Sequence, residues 1–144
     1  MAYYNKVGML IFNADHSAFL VGETKKKFNK GERPVQYLMP GGQFEPGESA
    51  TQCLAREIQE ELMCEVDPDS LQFIAEYLDV SAASPDRDVS IKLYQGQLIG
   101  EPFACSEIAA LHWISQKEYQ SELLSPIIRN KIIPDLLRRK ILMS

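Results

Sequence analysis

The sequence predicts one domain, residues 1–144, of the α+β or α/β class, with a mixed β-sheet between helices. Three observations predict this architecture. Strand-like apolar runs come first and return in the second half of the chain, a capped one-sided helix separates them, and an apolar helical stripe lies near the C-terminus. Strands and helices in this alternation pack as layers around a core. A length of 144 residues with 45% apolar content suits a single domain.

The first elements are predicted to be two strands joined by a short turn. Residues 6–13 (KVGMLIFN) and 17–23 (SAFLVGE) are mostly apolar, and polar residues separate them. We therefore expect a hairpin. A third strand is predicted at 35–39, and it leads into a glycine-rich loop.

A basic stretch, residues 24–33 (TKKKFNKGER), lies between the second and third predicted strands. A solvated loop is the ordinary interpretation of such a charge run. The functional alternative is attraction of a phosphate group, with Phe28 stacking on a base. Arg33, the basic residue nearest the next strand, is then a candidate for substrate binding.

The first predicted helix begins at Ser49, after a loop. Residues 40–42 (PGG) interrupt the preceding strand, and Pro46-Gly47 is typical of a type II turn. Ser49 and Gln52 have the spacing of a capping box, in which each side chain accepts from a free backbone N–H. The helix also has an apolar stripe, which predicts that this face lies on the core. The stripe consists of Leu54, Ile58 and Leu62.

In the second half of the chain we predict three further strands, the first of them after a turn, and a short helix. A turn at 67–70 precedes a strand at 71–80. Residues 89–94 alternate between apolar and polar side chains, as in a half-buried strand. Another strand is predicted at 109–114, and a short helix at 116–124.

The last predicted helix opens at Ser125-Pro126, with proline in the first turn. Pro134 is expected to break or kink it. Its apolar stripe is expected to cover the core, with two alternatives: a contact with a second copy of the chain in a homodimer, or a lid over a substrate. The stripe consists of Ile128, Ile132, Ile133, Leu136 and Leu137.

Composition argues against several functional classes. The net charge of −5 disfavours binding to long nucleic acid, which normally needs a basic surface. No run of 18 apolar residues is present, so we expect no membrane span, and the N-terminus lacks the features of an export signal. Three cysteines without a CxxC spacing indicate reduced thiols and a cytoplasmic location.

The polar face of the first helix gathers acidic side chains. Glu57, Glu60 and Glu61 stand at i, i+3 and i+4, so their carboxylates fall within an arc of roughly 100° and one turn. Like-charge neighbours destabilise an isolated helix by about 0.2–0.5 kcal/mol per pair, and we expect Arg56 to relieve only Glu60. A hard divalent cation, Mg²⁺ or Mn²⁺, would turn this repulsion into ligation. The alternative is a solvated helix face, as in an acidic protein-interaction domain.

The spacing of the loop and helix residues resembles the signature of the Nudix hydrolases. Gly42 is followed after five residues by Glu48, and after seven more by the run REIQEE at 56–61. The resemblance covers residues 42–64 and implies an α/β/α sandwich. It also implies that catalytic divalent metals are held by three glutamates and one backbone carbonyl. These correspond to Glu57, Glu60, Glu61 and Gly41.

The same resemblance assigns supporting roles to other residues of the signature. Arg56 orients the glutamates, Gly42 and Glu48 support the loop, and Glu57 is the base that activates water in some members. Met63 departs from the pattern, because the family usually has glycine there. A left-handed conformation costs a residue other than glycine about 1–2 kcal/mol, so we expect the helix to stop in a different way.

The reaction implied by the resemblance is Mg²⁺-dependent attack of water on a diphosphate bond. The partner is a small nucleotide: a nucleoside di- or triphosphate, or a derivative of a nucleoside diphosphate. Tyr37, before the loop, and Phe44, within it, are candidates to line the substrate pocket. A catalytically silent nucleotide-sensing module is the alternative within the same fold.

Glu107 is a further catalytic candidate, in a predicted loop six residues before Trp113. Many Nudix enzymes have a glutamate opposite the signature helix that completes the metal site or acts as base. A carboxylate from another element is better placed to deprotonate water than glutamates committed to metal. Competing donors are Asp86, Asp88 and Glu101.

Overall fold

A computed structural model describes residues 2–25, 36–81 and 86–142. The predicted substrate contacts Phe28 and Arg33 lie outside these residues. The strands are β1 (Tyr4–Leu10), β2 (Ala18–Thr24), β3 (Tyr37–Leu38), β4 (Gly41–Gln43), β5 (Glu65–Val66), β6 (Gln72–Val80), β7 (Asp88–Gln95), β8 (Leu98–Ile99) and β9 (Ile108–Ser115). The α-helices are α1 (Ala50–Leu62) and α2 (Ile133–Arg138).

The strands form one mixed sheet and one antiparallel sheet, with a small ladder beside them. The mixed sheet has the order β4-β1-β7-β6, in which β1 and β7 are parallel and the other neighbours antiparallel. The second sheet has the order β3-β2-β9 and is antiparallel throughout. Strands β5 and β8 pair with each other. The predicted α+β architecture with a mixed sheet is confirmed.

Alternate side chains of β1 and of Ile11, the residue after it, enter two hydrophobic clusters on opposite faces of the mixed sheet. On one face Val7, Met9 and Ile11 pack against the apolar stripe of α1. On the other face Leu10 belongs to the larger cluster, which includes the C-terminal helical segment. Each fully buried leucine or isoleucine contributes about 1.5–3 kcal/mol. The sheet thus lies between helices, as the sequence predicts.

The predicted N-terminal hairpin is correct only at its turn. Phe12 bridges Phe19, and the N–H of Leu20 donates to the carbonyl of Ile11 at 2.9 Å. Beyond this point the two strands separate into different sheets, because β1 pairs with β4 and β7 whereas β2 pairs with β3 and β9. One continuous two-stranded hairpin is therefore wrong.

Helix α1 begins as the sequence predicts and ends differently. Ser49 caps it, and the reciprocal Ser49–Gln52 bonds of the capping box are both present. Met63 ends it in a left-handed conformation (φ 54°, ψ 36°), with its N–H donating to Gln59. The expectation of another helix stop is wrong, because Met63 itself takes the left-handed conformation and bears its strain, with its side chain 60% exposed.

The C-terminal segment departs from the prediction at 116–124 and confirms the break predicted at Pro134. A short 3₁₀ turn, Gln116–Glu118, stands where a helix at 116–124 was predicted. A π-helical turn, Ile128–Ile132, precedes α2, which carries Pro134 in its first turn. Proline lacks the N–H for an ordinary helical bond, so the interruption follows its position. None of the helices in the described part of the chain has the length and apolarity needed to cross a bilayer.

Candidate active site

Two glycines in β4 allow helix α1 to approach the loop backbone. Gly41 has a φ of 137°, which L side chains rarely adopt, and a Cβ there would overlap the carbonyl oxygen of Val7. A Cβ on Gly42 would overlap the carboxylate of Glu57. The glycine loop therefore makes room for a glutamate against its backbone.

Glu61 reaches from α1 into this loop. Its Oε1 accepts a hydrogen bond from the N–H of Gly41 at 3.0 Å. Burial, aided by the carboxylates of Glu57 and Glu107, raises the pKa of Glu61 to about 8. The ionised form at this point is therefore costly, and a cation in contact with it would lower that cost.

Arg56 connects the loop to the helix glutamates. Its Nε and Nη2 donate to the two oxygens of Glu48 at 2.7 and 2.9 Å, and Nη1 donates to Glu57 at 2.9 Å. The bond to Glu60 is longer, at 3.4 Å, and Nη2 also donates to the carbonyl of Gln43 at 3.1 Å. The expectation that Arg56 relieves only Glu60 is wrong, because its fork faces Glu48 and Glu57.

Glu48 holds Arg56 and the loop at once. Besides the two bonds from Arg56, it accepts the N–H of Glu45 at 2.8 Å. The hydrogen bonds from Arg56, together with this backbone bond, lower the pKa of Glu48 to about 2. Glu48 therefore stays ionised and fixes the guanidinium that holds Glu57.

The three helix glutamates and Glu107 line one cavity of about 310 Å³. Glu107 reaches it from the segment before β9, where its carbonyl accepts the N–H of Lys25 at 3.0 Å. The competing donors Asp86, Asp88 and Glu101 lie outside the cavity lining that the described residues define. The charged residues of that lining are Lys6, Glu57, Glu60, Glu61 and Glu107.

The donor set of the cavity fits a hard divalent cation. Burial raises the pKa of Glu57, and the carboxylates of Glu60 and Glu107 act in the same direction against Arg56. In the described ranges, no three Asp, Glu, His or Cys side chains already stand in ligating positions. Glu60 is 53% exposed and its hydrogen bond from Arg56 is long, at 3.4 Å, so its side chain can turn toward the cavity. Oxygen donors of this kind suit Mg²⁺ or Mn²⁺.

Two predicted substrate contacts lie away from this cavity wall, as far as the described residues define it. Tyr37 stacks on His112, with ring centroids 4.5 Å apart. Phe44 packs on the cluster beneath α1, and the Nζ of Lys92 lies 5.8 Å from its ring centroid. Substrate contact by Tyr37, Phe44 and Arg33 stays a prediction.

Sequence reasoning did not place Lys6, Ser81 or Ser125 in the cavity lining. Lys6 comes from β1, and Ser81 and Ser125 are only 3% and 2% exposed. Each lies far in sequence from the glycine loop, and no local motif marks it. The parallel pairing of β1 with β7 and the course of the chain after β9 bring them together, and these are properties of the whole fold.

Comparisons with known proteins bear on the family and the fold of the chain. The family model described as NUDIX domain matches residues 3–136. A search of curated proteins finds no match. The structure resembles the MutT protein from Methanosarcina mazei Go1, with a TM-score of 0.76 and 20% identity over 96% of each chain. It also resembles the E. coli ORF135 protein, with a TM-score of 0.72 and 21% identity over 96% of this chain and 91% of that one.

A third similar structure is a C. elegans Ap4A hydrolase binary complex. Its TM-score is 0.64, with 17% identity over 96% of this chain and 95% of that one. At these identities the three structures show a shared fold.

Proposed function

Since the chain belongs to the NUDIX domain family and is a hydrolase of phosphoric anhydride bonds, we propose that it cleaves a diphosphate bond in a nucleotide with the help of Mg²⁺. The substrate class is a nucleoside di- or triphosphate, or a derivative of a nucleoside diphosphate. Mn²⁺ is the alternative ion, because it accepts the same oxygen ligands.

The observation that carries this proposal is the convergence of four glutamates on one cavity beside the glycine loop. Arg56 and the N–H of Gly41 fix two of them, Glu57 and Glu61. Carboxylates in a partly buried cavity repel one another, whereas on an exposed surface they can lie far apart. Their confinement supports a cation as their partner.

Each residue has a distinct part in the proposed reaction. Glu57, Glu60 and Glu61, with the carbonyl of Gly41, would hold the metal. The chemistry that Mg²⁺ supplies when bound is neutralisation of phosphate oxygens and a more acidic water. Glu107 comes from a different element and takes the proton of the attacking water.

The remaining residues of the loop and of α1 act by positioning the metal ligands. Arg56 fixes the carboxylate of Glu57, and Glu48 fixes Arg56. The bond from Gly41 fixes Glu61. Gly42 leaves the space that the Glu57 carboxylate fills. Together they hold the ligands in place before the substrate arrives.

The test is release of phosphate or nucleotide from a panel of nucleoside di- and triphosphates and nucleoside diphosphate derivatives. The wild type should turn over at least one member with Mg²⁺ and none with excess EDTA. A silent nucleotide-sensing module would bind a nucleotide without turnover, and an acidic interaction domain would do neither. Turnover that is equal with and without EDTA would contradict the metal assignment.

The role of Glu107 has its own test. Glu107→Gln should lower kcat and change the acid limb of the pH–rate profile, while Mn²⁺ affinity stays within a few-fold of wild type. Glu101→Gln is the matched control, since Glu101 lies outside the described cavity lining. Full turnover by Glu107→Gln would assign the base to another residue, with Glu57 as the first alternative.

A further inference from the structure

Lys6 is a cation placed in the acidic cavity by a strand that cannot easily shift. Its strand, β1, is hydrogen-bonded to β4 on one side and β7 on the other, and Lys6 stands opposite Gln43 and Ile91. Loop bonds on either side of it, from Phe44 to Asn5 at 3.3 Å and from Met9 to Pro40 at 2.9 Å, hold the same strand against the glycine loop. The stem of the lysine is therefore fixed relative to the site.

The ammonium group of Lys6 is surrounded by negative charge and paired with none of it. Within the described chain it makes no ion pair at 4.0 Å or less, and the ring centroid of Tyr4 lies 5.8 Å from its Nζ. The carboxylates of Glu61, Glu57 and Glu107 act on it at longer range. A partly buried lysine held this way has donors that face the cavity.

A purely structural role does not explain this placement. A counterion for Glu61 would be expected to close to a direct ion pair, as Arg56 does with Glu48 at 2.7 Å. A packing role does not need a charged side chain: at Gly8, two residues along β1 on the same face, Ile91 and Met39 already lie close to where a Cβ would be. The charge at the end of the stem therefore needs an anion that enters the cavity.

We propose that Lys6 binds a phosphate oxygen of the substrate, at a part of the phosphate chain that the glutamates cannot contact without a metal. This rests on the proposed function, because it takes the substrate to be a phosphoric anhydride. Carboxylates repel phosphate oxygens, so a direct protein contact in this cavity requires a donor such as the ammonium of Lys6. Lys6 thereby sets the position of the phosphate chain relative to the metal ligands.

The test measures binding without requiring turnover. Inorganic pyrophosphate is titrated by calorimetry into the wild type, Lys6→Met and Lys6→Arg at saturating Mg²⁺. Lys117→Met is the matched control, since Lys117 is exposed in the turn after β9 and is not part of the described cavity lining. Thermal unfolding of each variant confirms that it folds.

The expected result is a loss of about 10- to 100-fold in pyrophosphate affinity for Lys6→Met, the range for a hydrogen bond to a charged group. Lys6→Arg should recover most of the affinity, and Lys117→Met should match the wild type. With an active nucleotide, Lys6→Met should raise KM by a similar factor and lower kcat only a few-fold.

Unchanged pyrophosphate affinity in Lys6→Met, or no pyrophosphate binding by the wild type, would overturn the proposal. A change in Mn²⁺ affinity without a change in pyrophosphate affinity would also overturn it and would make Lys6 a counterion of Glu61. If nucleotide turnover fails while pyrophosphate binding still depends on Lys6, the proposed function falls and this assignment stands.

Discussion

The buried carboxylates of the candidate active site and the carboxylate of Asp135 have pKa values shifted in opposite directions. In the candidate active site, burial raises the pKa of Glu57 and of Glu61. In helix α2, burial acts on Asp135 in the same direction, yet hydrogen bonds hold its pKa below the ordinary value of 3.8. The donors to Asp135 are the hydroxyl of Tyr77 at 2.6 Å and the guanidinium groups of Arg138 and Arg139.

The difference separates a carboxylate that stabilises the fold from carboxylates that the fold must accommodate. Asp135 has its partners within the chain and ties α2 to β6 through Tyr77. Glu61 has a single hydrogen bond from the described part of the chain, from Gly41, and carboxylates as neighbours. Neutralising the carboxylate should therefore lower the stability of the fold at Asp135 and leave it unchanged or raise it at Glu61.

The largest expected effect is on turnover at the acidic site. Glu60→Gln and Glu61→Gln should each lower kcat by about 100- to 10,000-fold, because each removes a metal ligand charge. Thermal unfolding should show unchanged or higher stability, because like-charge repulsion is reduced. Steady-state kinetics with the active nucleotide measure the first effect.

Glu65→Gln is the control for these two variants, since Glu65 is exposed in β5. It should change neither kcat nor the unfolding midpoint. Near wild-type turnover by Glu61→Gln would show that the acidic cavity is not the metal site.

Arg56 tests whether geometry or charge organises the site. Arg56→Ala and Arg56→Lys should both lower kcat/KM by about 10- to 100-fold, because neither keeps the fork between Glu48 and Glu57. The lysine variant keeps the positive charge. If charge alone organises the site, Arg56→Lys will therefore retain a higher kcat/KM than Arg56→Ala. Complete recovery with lysine would refute the geometric role.

Asp135→Asn should act on stability and leave the site intact. It removes the acceptor of charged donors and should cost about 1–3 kcal/mol in the free energy of unfolding. Because the folded pKa of Asp135 is lowered, this contribution is complete above pH 4 and is lost as the pH falls through the folded pKa.

Urea unfolding of both proteins at several pH values measures this contribution. The gap between wild type and Asp135→Asn should be constant near neutral pH and shrink below about pH 4. Turnover per folded molecule should equal that of the wild type. A gap that widens on acidification would show that Asp135 is not the stabilising carboxylate.

The smallest expected effect is at the end of α1, beside the site but outside its chemistry. Met63→Gly should raise the free energy of unfolding by about 1 kcal/mol, because glycine adopts the left-handed conformation of residue 63 without strain. kcat should not change. Destabilisation would mean that the exposed methionine side chain contributes packing that outweighs the strain.

The site was predictable where its residues are close in sequence. The spacing of Gly42, Glu48 and residues 56–61 predicts the loop, the helix and its acidic face, because turn and helix geometry depend on residues close in sequence. Glu107 was predicted to lie near them, and it does line the cavity. Its catalytic role remains a prediction.

Features that depend on tertiary contacts could not be predicted in the same way. The separation of β1 and β2 into two sheets depends on which distant strands pair with them. The place of Lys6 in the cavity depends on the face of β1 that borders the glycine loop. The orientation of Arg56 toward Glu48 depends on the path of the loop, and helical spacing alone does not predict that path.

The most direct test of the account is the response of the unfolding temperature to Mg²⁺. A cation that binds the folded site should raise the midpoint by roughly 5–10 °C at about 100-fold excess over its dissociation constant. The rise should persist in Asp135→Asn and disappear in Glu61→Gln. An equal rise in Glu61→Gln and wild type would contradict the claim that Glu61 and the neighbouring carboxylates of α1 hold the metal.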